Sequence, residues 1–154
     1  MPVRKLALKD LGEVSAICKT AFMATVAPTL EQEGIDTFRS IASKESIKGR
    51  MNGENDMLVF EEKGCIAGFL ELKAGHHIAM LFVSPDWQRK GVGKALIYAI
   101  TPYAKQDTIT VSASLTSVLA YQGYGFCITG DVSKTAGLVY QPMEISLTQL
   151  NSGN

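Results

Sequence analysis

The stretch Leu81-Phe82-Val83-Ser84-Pro85-Asp86-Trp87-Gln88-Arg89-Lys90-Gly91-Val92-Gly93-Lys94 carries the strongest chemical signal in the chain. An apolar, strand-like run leads directly into a helix-like one, and Gly91 and Gly93 fall where the helix would begin. Glycines there let backbone N–H groups approach a ligand closely. A helix start also offers unpaired N–H donors and about half a unit of positive charge. Arg89, Lys90 and Lys94 add formal charge beside it. Together these groups suit a phosphate or diphosphate, although a glycine pair also serves plain strand-to-helix turns. Two familiar phosphate motifs do not fit. The dinucleotide fingerprint needs a third glycine where Leu96 stands. The P-loop needs glycine where Gln88 stands and Ser or Thr where Ala95 stands.

Other reactive residues are sparse. His76 and His77 are neighbours on a strand-like segment and point to opposite faces, so they do not readily share a metal ion, and no Cys, Asp or Glu cluster at ligand spacing joins them. We expect no metal. Cys18, Cys65 and Cys127 are widely spaced and odd in number, which suits a reducing compartment better than a disulfide framework. Cys65 and Cys127 sit in apolar strand contexts, where a thiol usually acts as a small hydrophobe. Fifteen basic residues balance fifteen acidic ones, which argues against a nucleic-acid or anionic-membrane surface. The N-terminus lacks the apolar core of a signal peptide and no apolar run is long enough to span a bilayer, so a soluble, cytoplasmic protein is expected.

The length of 154 residues suits a single domain over 1–154. Val3 to Leu8 alternates like a strand. Asp10 can cap a helix to about Phe22, with Leu11, Val14, Ile17, Cys18 and Ala21 as its buried stripe. Pro28 can open a second helical stretch anchored by Leu30, Ile35, Phe38 and Ile41, and Gly49, Asn52, Gly53 and Asn55 mark a turn-rich exit. Met57 to Glu62 and Cys65 to Lys73 read as a hairpin turning at Lys63-Gly64, followed by a strand from His76 to Val83 that Pro85 ends. From Gly91 to about Ala104, Val92, Ala95, Leu96, Ala99, Ile100 and Tyr103 form a helical stripe. Thr108 to Ala113 is a strand and Thr116 to about Gln122 a short helix. Phe126 to Thr129 and Leu138 to Leu147 are closing strands joined by a turn region. A strand–helix–strand crossover flanked by hairpins predicts a mixed α/β sheet with helices on its faces.

Gln88-Arg89-Lys90-Gly91-Val92-Gly93, preceded by Leu81-Phe82-Val83, resembles the Q/R-x-x-G-x-G/A signature of the GNAT superfamily of N-acetyltransferases. A second stretch, Ser114 to Phe126, is similar to the family's N-x-x-A-x-x-F-Y-x-x-x-G-F. It keeps Tyr121, Gly125 and Phe126 but has Ser114, Ser117 and Ala120 for the asparagine, alanine and phenylalanine. The resemblance implies a mostly antiparallel sheet with a splayed cofactor cleft, and acetyl-CoA as acetyl donor. It places the backbone of Leu81, Phe82 and Val83 against the pantetheine arm and makes Gln88, Arg89, Lys90, Gly91, Val92, Gly93 and Lys94 the pyrophosphate cradle. Ser114, Ser117 and Tyr121 join the cofactor side.

The same resemblance implies that an amine attacks the thioester directly, with no covalent enzyme intermediate. Tyr121 is then the proton donor to the departing thiolate. A carboxylate on the central strands is the base in some relatives, and Glu71 is the candidate here, with Glu61 and Glu62 behind it and His76, His77 or a water chain as alternatives. The acceptor cleft would lie between roughly Phe22 to Asp56 and Gly130 to Gly137. A compact chain favours a small-molecule amine over a protein tail, and homodimers are common among such relatives. The alternative is a non-catalytic acyl-CoA-binding regulatory module, which retention of Tyr121 argues against. A nucleotide-binding protein is a third, weaker reading.

Overall fold

The computed structural model describes residues 2–152 of the chain. Strands β1 (Val3–Lys5), β2 (Asn55–Glu62), β3 (Cys65–Lys73), β4 (His77–Val83), β5 (Thr108–Ala113), β6 (Cys127–Ile128), β7 (Ser133–Thr135) and β8 (Leu138–Ser146) form one sheet. Its order is β1-β2-β3-β4-β5-β8-β6, with β7 also paired to β8. Every pairing is antiparallel except that of β4 with β5. Helices α1 (Leu11–Thr25), α2 (Gln32–Ile41) and α3 (Lys44–Met51) cover one face, and α4 (Val92–Tyr98), α5 (Val118–Tyr124) and α6 (Leu147–Ser152) the other.

Alternation along the strands divides the core in two. On β2, Met57 and Val59 pack with Phe22, Phe38 and Ile47 of the α1–α3 layer, while Leu58 and Phe60 pack with Leu96 and Ile97 of α4. On β4 the alternation breaks. Ile78 belongs to the α4 side and Met80 to the α1 side, although residues two apart on a regular strand share a face. The register explains this. Leu72 faces Ile78 and Glu71 faces Met80, so Ala79 is an extra residue, a β-bulge that flips the strand's parity and bends it.

The bend has a large consequence. β4 pairs with β5 only at His77↔Thr110 and Ile78↔Val111, after which the two strands part. From Met80 to Val83 the strand stays hydrogen-bonded to β3 on one edge and, among the described residues, has no strand on the other. β5 diverges toward β8, which it matches from Thr108↔Ser146 to Ala113↔Gln141. The start of β8 runs past the end of β5 and pairs with β7 instead, from Ser133↔Tyr140 to Thr135↔Leu138.

Several elements differ from the sequence reading, each for a local reason. The helix expected from Gly91 to Ala104 stops at Tyr98. Pro102 has no N–H for the Tyr98 carbonyl and its ring crowds that group; the Thr101 hydroxyl bonds the carbonyl instead. Pro28 opens only a single 3₁₀ turn, Ala27–Thr29, because Leu30 and Glu31 are extended before α2 begins. Asn52 and Gly53 of the turn-rich exit do form a turn before β2, but Gly49 lies inside α3, whose first turn is capped by the Ser43 hydroxyl accepting from Ser46 N–H. Asp10 spends its carboxylate on the Ala7 amide and on Arg4 rather than on the amides of α1. Strand β1 ends at Lys5, three residues earlier than expected, as the chain turns into this clip. The turn region after residue 129 contains β7, and α6 follows β8.

Candidate active site

The loop after β4 leads through a 3₁₀ turn, Pro85–Trp87, to α4. Gly91 precedes α4 in the left-handed region at φ +83, a backbone that β-carbons resist. Ala95 N–H makes the first helical bond, to the Gly91 carbonyl, so the N–H groups of Val92, Gly93 and Lys94 lack intrahelical acceptors. A left-handed residue followed by a helical one turns such N–H groups to a common side, an anion-binding arrangement. The two glycines act differently. A β-carbon at Gly91 would meet open space, whereas one at Gly93 would fall on the Tyr124 hydroxyl. Gln88 ties the loop back to the strand, its Nε2 donating to the Val83 carbonyl at 3.3 Å.

A groove of about 850 Å³ runs along this loop between β4 and α5. Leu81, Phe82, Val83, Gln88, Arg89, Gly91, Val92, Gly93, Lys94, Ser117 and Tyr121 all line it; Lys90 does not, and its ammonium lies 5.4 Å from the Trp87 ring. A second cleft of about 440 Å³ opens between the parted strands and under α1 and α2. Leu81, Phe82, Ser114, Ser117 and Tyr121 line this one. Tyr121 therefore stands where the two spaces join. Its ring packs edge-on against Tyr124 at 5.8 Å and Phe126 at 5.2 Å. Burial, and then Tyr124, push its phenol pKa well above the ordinary value, so it holds its proton. The Ser114 and Ser117 hydroxyls bond each other at 2.6 Å beside it.

Glu71 lines neither space. It is fully buried on β3, behind Met80, and Arg50 of α3 holds both of its oxygens, Nε to Oε2 at 2.8 Å and Nη2 to Oε1 at 3.1 Å. Asn55 also donates to it. The carboxylate is thus occupied as one half of an ion pair. His77 sits at the closed end of the β4–β5 pair, with Nδ1 2.7 Å from the Thr110 hydroxyl. Burial, then His76 and Lys73, hold its pKa below the ordinary value. Cys18 is buried and its thiol is pushed up to about 12 by burial. Cys65 and Cys127 are exposed at strand starts rather than packed as small hydrophobes, and neither lines the cleft.

The sequence matches the acetyltransferase (GNAT) domain over residues 26–147. The chain belongs to the GNAT acetyltransferase family. It is 40% identical over 60 residues to the uncharacterized N-acetyltransferase YafP of Escherichia coli (strain K12), a match covering 38% of this chain and 37% of YafP. The chain spans well under two thirds of the length of the curated relatives it matches. Its fold is that of a GCN5-related N-acetyltransferase from Rhodopseudomonas palustris, at TM-score 0.82, 24% identity and 94% coverage of both chains. It is also that of the PaiA N-acetyltransferase from Thermoplasma acidophilum in complex with coenzyme A, at TM-score 0.71, 21% identity and 94% and 97% coverage.

Tyr124 and the β8 side of the β7–β8 hairpin had no sequence signal, whereas Thr135 and Ala136 fall in the Gly130 to Gly137 stretch expected at the acceptor cleft of this acetyltransferase-family site. Tyr124 lines the groove and packs on Gly93, a contact made only when the loop and α5 fold together. The β7–β8 hairpin supplies a wall of the cleft through Thr135, Ala136, Leu138, Val139 and Tyr140. That wall is pinned to α2: the Thr37 hydroxyl donates to the Ala136 carbonyl at 2.7 Å, and Gly34 and Gly137 meet backbone to backbone with no room for a β-carbon on either. Hydrogen bonds from Ser133 and then Thr135 hold the Tyr140 phenol below its ordinary pKa. Among the described residues, no helix is long and apolar enough to cross a membrane and no His, Cys, Asp and Glu cluster could hold a metal.

Proposed function

We propose that this protein transfers an acetyl group from acetyl-CoA to a primary amine of a small molecule by direct attack of nitrogen on the thioester. One observation carries the reading: where β4 leaves β5, two spaces open and meet at Tyr121. The residues present fit the donor. A pantetheine arm is a chain of amides, and the open edge from Met80 to Val83 offers backbone groups to it. A diphosphate needs N–H donors and positive charge, which Val92, Gly93 and Lys94 with Arg89 supply. Acetyl-CoA, when bound, provides an activated acyl group as a thioester.

Tyr121 then donates its proton to the departing sulfur as the new carbon–nitrogen bond forms, and a phenol kept protonated by burial suits that task. Ser114 and Ser117 flank the same point. We leave Glu71 to its ion pair with Arg50, and the nitrogen's proton to water at the cleft mouth.

A thermal-shift titration with acetyl-CoA, CoA, ATP and NAD tests the donor. Binding to the folded state alone raises stability by about 2.7 kcal/mol at a hundredfold excess over Kd. The response should be confined to the two CoA species and abolished by Lys94→Glu, with Gly91→Asn as the control that keeps the left-handed backbone. A response to ATP or NAD alone, or none, would refute the cradle.

A further inference from the structure

Among the described residues, no Asp, Glu, His, Lys or Arg lines the cleft between the parted strands. Its α1–α2 wall is aromatic: Phe22 and Phe38 stack with centroids 3.9 Å apart, and Phe38 meets Phe82 edge-on at 5.2 Å. Met80 adds a thioether. The carboxylate that comes nearest in the strand register, Glu71 opposite Met80, is neutralised by Arg50. One of the wall's hydroxyls, that of Thr37, is taken by the Ala136 carbonyl. A cationic group entering here would lose its water and find no counter-charge, a heavy cost for each charge.

Resting on the acetyltransferase reading above, we propose that the acceptor is an arylalkyl monoamine: one reacting nitrogen on an apolar, aromatic body, with no second charge. A cleft of about 440 Å³ is of the size that encloses a small ligand. The aromatic wall takes the ring by edge and face contacts. The same apolar surroundings favour the uncharged amine, because desolvation lowers an ammonium's pKa. The cleft thereby supplies a neutral nucleophile without a carboxylate base. The nitrogen bonds to the thioester carbonyl carbon, the carbon–sulfur bond breaks with its electron pair going to sulfur, sulfur gains a proton, and nitrogen releases one to water. Polyamines and aminoglycosides, which carry several charges, are poor acceptors for the same reason.

The test measures kcat/KM at saturating acetyl-CoA for phenethylamine and tryptamine against putrescine, spermidine and kanamycin, by thiol release with mass detection of the acetylated amine. The arylalkylamines should lead by on the order of a hundredfold, as one unpaired buried charge demands. Leu30→Glu, on the partly buried extended segment before α2, and Val139→Glu, on the hairpin wall, each place a carboxylate in the cleft. Either variant that retains its thermal shift with CoA should narrow the ratio at least tenfold, mainly through KM. Loss of CoA stabilisation in the wild type would sink the acetyltransferase reading itself. CoA stabilisation with polyamine turnover equal to or above arylalkylamine turnover, with no turnover of arylalkylamines, or with an unmoved ratio in both variants, would overturn the substrate class alone.

Discussion

Replacing Glu71 by Gln separates two roles that a carboxylate on a central strand could have. In the structure both oxygens are engaged by Arg50, and Asn55 donates as well. Glutamine keeps the shape, removes the charge and turns one acceptor into an N–H₂ group aimed at other donors. Glu71 has no exposed side-chain surface, whereas Arg50 keeps 27% of its own, so water recovers part of the guanidinium's loss. Breaking a buried pair costs 3–5 kcal/mol, and partial hydration of Arg50 puts this case near the lower bound, about 3 kcal/mol. For a chain of this size that is a fall in Tm of about 6–12 °C. Arg50→Met should lower Tm at least as far, since it strands the fully buried carboxylate. Scanning calorimetry reads the loss, and steady-state kinetics well below the lowered Tm should find kcat for the folded enzyme within about threefold of wild type. A general base would behave differently: kcat would fall by about 10²–10⁴ and the acid limb of the pH profile would vanish. An unchanged Tm with a hundredfold loss of kcat in Glu71→Gln would refute the structural role.

Tyr121→Phe keeps the edge contacts to Tyr124 and Phe126 and should leave CoA binding and Tm near wild type while lowering kcat by about 10²–10³. Rapid-quench or thiol-release kinetics check it, and an unaltered kcat would remove Tyr121 from the chemistry. Gly137→Ala sets a β-carbon against Gly34 at φ +81 and should cost about 2 kcal/mol or more while loosening the hairpin from α2. Amine KM should rise in that variant with acetyl-CoA affinity unchanged in the thermal-shift assay. Arg4, with help from the Ala7 amide, holds the Asp10 carboxyl below its ordinary 3.8. That stability is therefore fully present above pH 3.8 and is lost as pH falls through the lower folded value. Arg4→Met should cost about 1–2 kcal/mol at pH 7 and flatten the acid dependence of stability measured by urea melts from pH 5 to 2.

What could be read from the sequence was whatever is local. The loop we propose as the phosphate cradle announces itself because glycine position, charge and helix start all lie within Gln88 to Lys94, and Tyr121 falls at a fixed step from Gly125-Phe126. Strands β2 and β3 are nearly continuous apolar runs bounded by the Lys63-Gly64 turn, so their hairpin was placed to within two residues. The helical wall was harder to read. Gly49 inside α3 looks like a turn residue, and burial of Ile47 beside Ala42 and Phe38, with the ion pair of Arg50 to Glu71, holds that short helix in place. Tertiary contact overrides propensity there. The same limit explains Glu71. Its strand position was evident, but its partner Arg50 lies twenty-one residues earlier on a helix the pattern did not show. That Gly130 to Gly137 borders the cleft was expected only from the resemblance, because the hairpin's place depends on Gly34 and Gly137, about a hundred residues apart, meeting in space.

The sharpest dependence of site on sequence runs through Ala79. A regular β4 would put Ile78 and Met80 on one face, leaving one of the two cores short of a side chain. The extra residue corrects the parity and bends the strand, so β4 can satisfy α1 and α4 in turn only by leaving β5. A parallel pair that ended this way inside a core would strand its ladder groups at the usual cost of unpaired buried amides. The edge is tolerable because it borders a space open to solvent and to ligand. Alanine also suits the bulge for a second reason: it faces the cleft, where each added side-chain carbon would take room from the reactants. Core packing and ligand access thus constrain the same residue in the same direction, so the cleft exists because the two cores are both filled.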